Sequence, residues 1–317
     1  MTRVDVVTMG EAMMALRWSE SMALGRPAQT SIAGAESNVA ICLARLEHSV
    51  SFVGRVGDDQ PGELVMRTLR AERVGTEHVF RDAEAGTGII LFDRPVAGSV
   101  NVTYRRRGSA GSRLQPADIA AALENPPRIL HVTGVTLALG RYCVDTVTRA
   151  IGTAREAGCL VAFDVNFRST LWSPEAAAAA LAGLRGQVDV AIGSPAELAL
   201  MAGIPDASTD EAARKLLAAG AREVVAKLGP RGAEAHTAEG VIRQPAVAVT
   251  EADPVGAGDA FVAGYLSAHL DGLDLPMRLE RGNLLGAAVV ASHGDWEGAP
   301  RRRDLSLVPG GAERVHR

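Results

Sequence analysis

The sequence predicts an α/β fold with a mostly parallel central sheet covered by helices on both faces, and three observations carry that expectation. Short β-branched runs alternate with segments of helical periodicity along most of the 317 residues, and strands separated by helices of this length imply parallel crossovers. The composition, 47% hydrophobic and 22% charged, is that of a packed globular chain and excludes disorder or a fibrous repeat as the main architecture. One stretch, Gly88 to Arg106, breaks the alternation with two strand-like runs and no helix between them, which predicts an inserted β-hairpin.

In chain order, Val4–Met9 reads as a buried strand and Glu36–Glu47 as a helix with Val39, Leu43 and Leu46 on one face. Val50–Val53 is the next strand, followed by a glycine-rich turn and a helix from about Gly62 to Val74. The hairpin comes next, Gly88–Asp93 and Ser99–Arg106 around a Pro95–Gly98 turn. Such an insertion is either an ordinary sheet edge or a lid over a ligand. The alternation resumes with Ile129–Thr133 (strand), Arg141–Ala157 (helix), Leu160–Asp164 (strand) and the alanine-rich helix Glu175–Arg185. It continues with Val188–Ile192, Pro195–Ala202, Glu211–Ala219 and Glu223–Lys227. No linker divides the chain, so a single domain over residues 1–317 is expected, with a frayed polar tail from Arg301 to Arg317.

Charge and cysteine usage exclude several classes. Thirty-three Lys plus Arg against 37 Asp plus Glu give a net charge of −4, without the basic excess of a nucleic-acid or anionic-membrane binder. All but Lys215 and Lys227 of these cations are arginine. Three cysteines without a CxxC pair argue against a disulfide scaffold or structural zinc. No uncharged apolar stretch approaches the ~20 residues of a membrane helix, and a cytoplasmic location is expected. There is no Gly-Lys dipeptide, GxGxxG, HExxH or GxSxG, which removes the simplest routes to a P-loop enzyme, a dinucleotide enzyme, a zinc protease and an α/β-hydrolase.

Chemistry concentrates in Asp253-Pro254-Val255-Gly256-Ala257-Gly258-Asp259-Ala260-Phe261, followed by Val262–Ala268 with helical spacing. A glycine turn opening a helix offers unpaired N–H groups and a positive dipole end to an anion. Asp259 in the first turn has two readings. It is a helix-capping acid, or a carboxylate beside an anion hole that takes a proton from an attacking hydroxyl.

This run resembles the DTGAGD motif of the ribokinase-like (PfkB) carbohydrate kinases. A second family motif lies near the N-terminus, in Gly34-Ala35-Glu36-Ser37-Asn38 and Gly54-Arg55-Val56-Gly57-Asp58-Asp59 with Gly62. The resemblance extends from Gly10-Glu11 to Gly294-Asp295. It implies a ribokinase-like three-layer fold with a small β lid around residues 88–107 and part of 12–33, through whose strands copies of the chain would associate. It also implies ATP and Mg2+ as cofactors, with room for a monovalent cation such as K+ near Val249–Asp253.

Within the family, three segments are similar to the 2-keto-3-deoxygluconate kinase branch. They are Tyr104-Arg105-Arg106-Arg107-Gly108-Ser109-Ala110-Gly111-Ser112, Asp164-Val165-Asn166-Phe167-Arg168 with Leu171-Trp172, and Gly294-Asp295-Trp296-Glu297-Gly298-Ala299-Pro300. The branch implies transfer of phosphate from ATP to the terminal hydroxyl of a small sugar acid. Substrate contacts would come from Gly34, Asn38, Tyr104, Arg106, Arg168 and Asp295, and catalysis from Asp259 with the amides of Gly256, Ala257 and Gly258. Asn166, Ser194, Lys227, Gly229, Gly232 and Asn283 would face the nucleotide, and Glu197 the metal. Arginine suits a substrate carboxylate because it binds bidentately. Strand alternation turns Arg106 one way and Arg105 and Arg107 the other, although an arginine run also serves as a solvated edge. Lys227 is either a phosphate contact or simply a strand-end residue.

Three positions depart from the branch pattern. Arg105 stands for a second tyrosine, Ile90 for an aromatic of the first lid strand, and Ser194 for the asparagine of NxxE. A fructokinase- or ribokinase-type sugar kinase, or a non-catalytic sugar-binding sensor on the same fold, stays open as an alternative.

Overall fold

The computed structural model describes residues 3–95 and 100–308. The elements in chain order begin with β1 (Val6–Met9), β2 (Met13–Arg17), β3 (Gln29–Ala33), α1 (Ala35–Arg45), β4 (Val50–Gly57), α2 (Gln60–Ala71) and β5 (Gly75–Asp82). They continue with β6 (Ile89–Asp93), β7 (Asn101–Arg105), α3 (Pro116–Leu123), β8 (Ile129–Thr133), α4 (Gly134–Ala138), α5 (Arg141–Glu156) and β9 (Leu160–Asp164). The rest are α6 (Pro174–Ala182), β10 (Val190–Gly193), α7 (Pro195–Ala202), α8 (Thr209–Ala219), β11 (Glu223–Lys227), β12 (Ala233–Thr237), β13 (Gly240–Gln244), α9 (Ala257–Leu270) and α10 (Leu275–Val290).

Nine strands form the main sheet in the order β13-β12-β11-β10-β9-β8-β1-β4-β5. It is parallel from β11 to β5, and antiparallel only where β12 and β13 extend one edge. Because helices cover both faces, β1, β8 and β10 are mostly apolar and buried at every position rather than alternately. One face packs against α1, α2, α9 and α10 through residues such as Leu43, Phe52, Leu69, Val262 and Leu285, and the other buries Leu130, Val147, Phe163, Leu181 and Leu216. Helix α9 is buried on nearly all sides, as a helix apolar all round must be. Among the described residues no helix is long and apolar enough to cross a membrane. The three cysteines are free and buried.

The predicted hairpin is β6–β7, antiparallel with Ile90 opposite Tyr104. It joins β2 and β3 in a second, four-stranded sheet of order β3-β2-β6-β7, where β2 pairs parallel with β6. The strand character of residues 12–33, expected from the resemblance, is thus seen in β2 and β3. The expected turn falls largely on residues 96–98, and part of the expected tail on 309–317, both outside the described residues; residues 302–307 form a 3-10 turn.

Two expectations are corrected. The segment Gly54–Gly57, read as a turn, continues β4 and pairs Gly54 with Val79 and Gly57 with Asp82 of β5. Glycine is needed there for contact: a Cβ at position 54 would lie 2.7 Å from the Gly10 carbonyl oxygen. The α2 helix starts earlier than read, capped by Asp59, whose carboxylate accepts Gly62 N–H at 2.8 Å.

Candidate active site

A cavity of about 420 Å3 opens between the two sheets, at the C-terminal ends of the parallel strands, where ligands bind in open α/β folds. The main layer supplies Asn38 from α1, Asn166 and Arg168 after β9, Glu197 from α7, Lys227 from β11, and the turn into α9. The second sheet supplies Met13, Ile90, Phe92 and Tyr104, with Arg106 just beyond β7.

Asp259 sits at the base, in the first turn of α9. Its Oδ2 accepts Asn38 Nδ2–H at 2.8 Å and its Oδ1 accepts Asn166 Nδ2–H at 3.2 Å. Burial pushes its carboxyl above the usual range, against the pull of the Asn38 hydrogen bond and the Arg168 charge. Gly256 caps the helix with φ 79°, and a Cβ there would lie 1.9 Å from the Asp295 carbonyl oxygen, so no larger residue fits without displacing the loop that carries Asp295. Among the described residues no hydrogen bond takes the Gly256 or Gly258 N–H. The Ala257 N–H turns instead to Pro254 O at 3.4 Å, and Ala257 does not line the cavity.

Three cations line the cavity, and two are already paired. Arg106 Nε donates to Glu11 Oε2 at 2.7 Å, and Ser109 Oγ donates to the other oxygen of the same buried carboxylate. Lys227 Nζ bridges both oxygens of Asp164 at 2.8 Å. Arg168 is exposed and forms no ion pair among the described residues; its Nη1 reaches only Phe167 O at 3.4 Å. Arg105 and Arg107 are exposed while Arg106 is buried, although Arg106 and Arg107 lie beyond the end of β7.

The cavity therefore gathers Gly34, Asn38, Tyr104, Arg106, Asn166, Arg168, Glu197, Lys227, Gly256, Gly258, Asp259 and Asp295. The remaining residues expected to face a nucleotide lie elsewhere. Ser194 and Glu197 form a capping box on α7, and the Glu197 oxygens accept Ser194 N–H at 2.6 Å and Phe167 N–H at 2.8 Å. Gly229 begins the 3-10 turn after β11, and a Cβ on Gly232 would meet Gln244 O at 2.1 Å. Asn283 Nδ2 donates to Gln244 O and Pro245 O at 3.1 and 3.0 Å, in a second cavity of about 360 Å3 that residues 244–248 and Glu280 also line.

Four acidic partners were not singled out from sequence. Glu11 and Asp164 stand inside recognised motifs, but nothing local shows that they pair with Arg106 and Lys227. Asp253, expected near a monovalent cation, faces Arg17 at 3.4 Å and Arg94 at 3.5 Å. Glu36 is buried, its Oε1 accepting hydroxyls of Thr133 and Thr136 at 2.6 and 2.5 Å.

Burial pushes the Glu36 carboxyl from 4.5 up to about 7. Between those values the folded chain keeps a proton that the unfolded chain has lost, so stability falls as pH rises through the window, by about 1.4 kcal/mol per pH unit. Glu36→Gln is expected to flatten that decline. Melting temperatures of both proteins from pH 4.5 to 8 check it, and parallel curves would contradict it.

A buried carboxylate beside free helix-start amides, in a pocket between two sheets, is an arrangement that suits phosphoryl transfer to a hydroxyl. The pfkB family carbohydrate kinase model matches residues 4–302, and the chain belongs to that family; it is a kinase acting on a sugar hydroxyl. It is 34% identical to the 2-dehydro-3-deoxygluconokinase of Bacillus subtilis (strain 168), covering 99% of this chain and 98% of that protein. With the 2-dehydro-3-deoxygluconokinase of Thermoproteus tenax it shares 36% identity over 86% of this chain and 83% of the relative. The crystal structure of a PfkB protein from Polaromonas sp. JS666 superposes with a TM-score of 0.85 at 36% identity, over 96% of this chain and 99% of that one. The ribokinase-like fold follows.

Proposed function

We propose that the protein transfers the γ-phosphoryl group of ATP to the terminal hydroxyl of 2-keto-3-deoxygluconate, giving the 6-phosphate. The observation that carries this reading is one cavity holding both the buried Asp259 carboxylate beside free α9 amides and the Arg168 guanidinium, unpaired among the described residues. The first suits a hydroxyl nucleophile, the second a substrate carboxylate.

In this mechanism Asp259 takes the hydroxyl proton as the oxygen–phosphorus bond forms and the bond to the ADP oxygen breaks. The Gly256 and Gly258 amides and the α9 dipole offset negative charge on the phosphoryl oxygens. Asn38 and Asn166 orient the base, and each keeps a buried Oδ1 without a partner among the described residues, free to accept from a substrate hydroxyl. With Nε and Nη2 on Glu11, Arg106 offers the ligand one edge and Arg168 the full bidentate face. Tyr104, Gly34 and Asp295 complete the sugar side, and the small sheet acts as a lid that excludes water. ATP would run from Lys227 along the Gly229–Gly232 turn to the cavity at Asn283.

Magnesium fits as a companion of the nucleotide. No three His, Cys, Asp or Glu side chains among the described residues are grouped to hold an ion, and Mg2+ commonly binds through one or two carboxylates plus substrate phosphates. Glu197 would hold it, and its chemistry is neutralisation of phosphate charge.

The reading is tested on the product. Phosphorus NMR of the reaction with 2-keto-3-deoxygluconate should show a phosphate ester coupled to the two protons of the terminal carbon. An ester at another position, or no ester, would refute it.

A further inference from the structure

Strand β2 ends on a largely but not fully buried cation that the reaction described above does not use. The Arg17 side chain is 12% exposed. Its guanidinium lies 3.6 Å from the centre of the Phe92 ring on neighbouring β6. It faces Asp253 Oδ2 at 3.4 Å and forms an ion pair with Asp295. A guanidinium is withdrawn from water at a cost that only good partners offset, and here both carboxylates come from the other side of the cavity. Asp295 lines that cavity. Asp253 accepts the Val255 N–H at 3.1 Å, in the turn that leads into α9. One side chain of the small sheet therefore reaches both the carboxylate beside the sugar and the turn that presents the anion-binding amides.

We propose that Arg17 is a positioning residue for the sugar: it aims the Asp295 carboxylate at a substrate hydroxyl and ties that aim to the seating of the small sheet. The proposal rests on the sugar-kinase reading of the cavity. Without Arg17, Asp295 loses its charge partner and turns freely, while Arg94 still holds Asp253 at 3.5 Å and keeps part of the contact between the layers. The loss falls on the sugar, because neither carboxylate lies at the Asn283 end of the nucleotide groove. Lysine cannot replace it fully, since a point charge does not span two carboxylates as a planar guanidinium does.

The test is a double-mutant cycle of Arg17→Gln and Asp295→Asn, with Arg17→Lys as the charge-retaining control. It is run on whichever sugar the wild type turns over fastest, so a wrong substrate assignment changes the sugar in the assay and leaves the cycle intact. Arg17→Gln should raise KM for the sugar about 10- to 100-fold, the weight of a charge-assisted hydrogen bond, with KM for ATP nearly unchanged. The double variant should be no worse than Asp295→Asn alone, and Arg17→Lys should recover part of the loss. Multiplying effects in the double variant would overturn the proposal, as would equal rises in both KM values or a fall confined to kcat. If Arg17→Gln does not fold, the same cycle with Arg17→Lys decides between the same outcomes.

Discussion

Asp259→Asn is expected to lower kcat by about 10²–10⁴, the usual weight of a positioned general base, while the protein still folds and binds ATP. The replacement is nearly isosteric, and Asn38 can turn its unpartnered Oδ1 toward the new amide, so the pocket need not rearrange. Stability gives an internal control. A buried carboxyl held above its usual range burdens the folded state once ionised, so the variant should melt no lower than the wild type at neutral pH. The wild-type rate should also fall as pH drops and Asp259 takes up its proton, and that acid limb should vanish in the variant's residual activity. Rates from pH 4 to 8, with melting curves and ATP titration, check all three; near-normal turnover would remove Asp259 from the mechanism.

Arg168→Ala should lower kcat/KM for a sugar acid by about 10- to 100-fold, as expected for a lost charge-assisted hydrogen bond, and change that for neutral fructose far less. The reason lies in the charge distribution of the cavity. Glu11 already takes up Arg106, and Asp164 takes up Lys227, so among the described residues Arg168 is the lining cation left for a substrate carboxylate. It has a second effect that both substrates share. Its charge helps hold the Asp259 carboxyl down, so the acid limb should move to higher pH for either sugar. Kinetics on both substrates at a pH above that limb separate the two effects, and equal losses would argue against a carboxylate contact.

The parts of the fold legible in the sequence were those whose chemistry is local. Buried parallel strands such as Ile129–Thr133 and Leu160–Asp164 are short, mostly apolar runs bounded by helices, and they stand where they were read. The edge strands β5 and β13, and β12 beside β13, were not read. Gly75–Asp82 and Gly240–Gln244 are half exposed and carry charged residues, so neither an apolar run nor clean alternation marks them. β2 and β3 were reached only through the resemblance, because β6, which joins β2 to the rest of the small sheet, lies far along the chain.

The candidate site divides in the same way. Asp259 with its glycines, Arg106 just past the end of β7 and Arg168 after a strand end are written in short segments, and the cavity brings them together. The counter-charges are not. Glu11 meets Arg106 across 95 residues of sequence, and Lys227 meets Asp164 across 63. Only the folded sheets bring those pairs into contact, so Arg106 was read as free to bind a ligand when one edge of its guanidinium is already on Glu11. The net charge of −4 says nothing of this arrangement, in which pairing leaves one arginine for the substrate.

The proposed activity of this cavity is phosphorylation of a sugar acid. It is tested most directly by coupled ADP release from the purified protein with ATP, magnesium and, in turn, 2-keto-3-deoxygluconate, its galacto epimer, fructose, ribose and a nucleoside. The highest kcat/KM is expected on the keto acid or its epimer, with fructose and ribose well below. Fructose or ribose matching the keto acids would contradict it, as would no sugar-dependent ADP release at all.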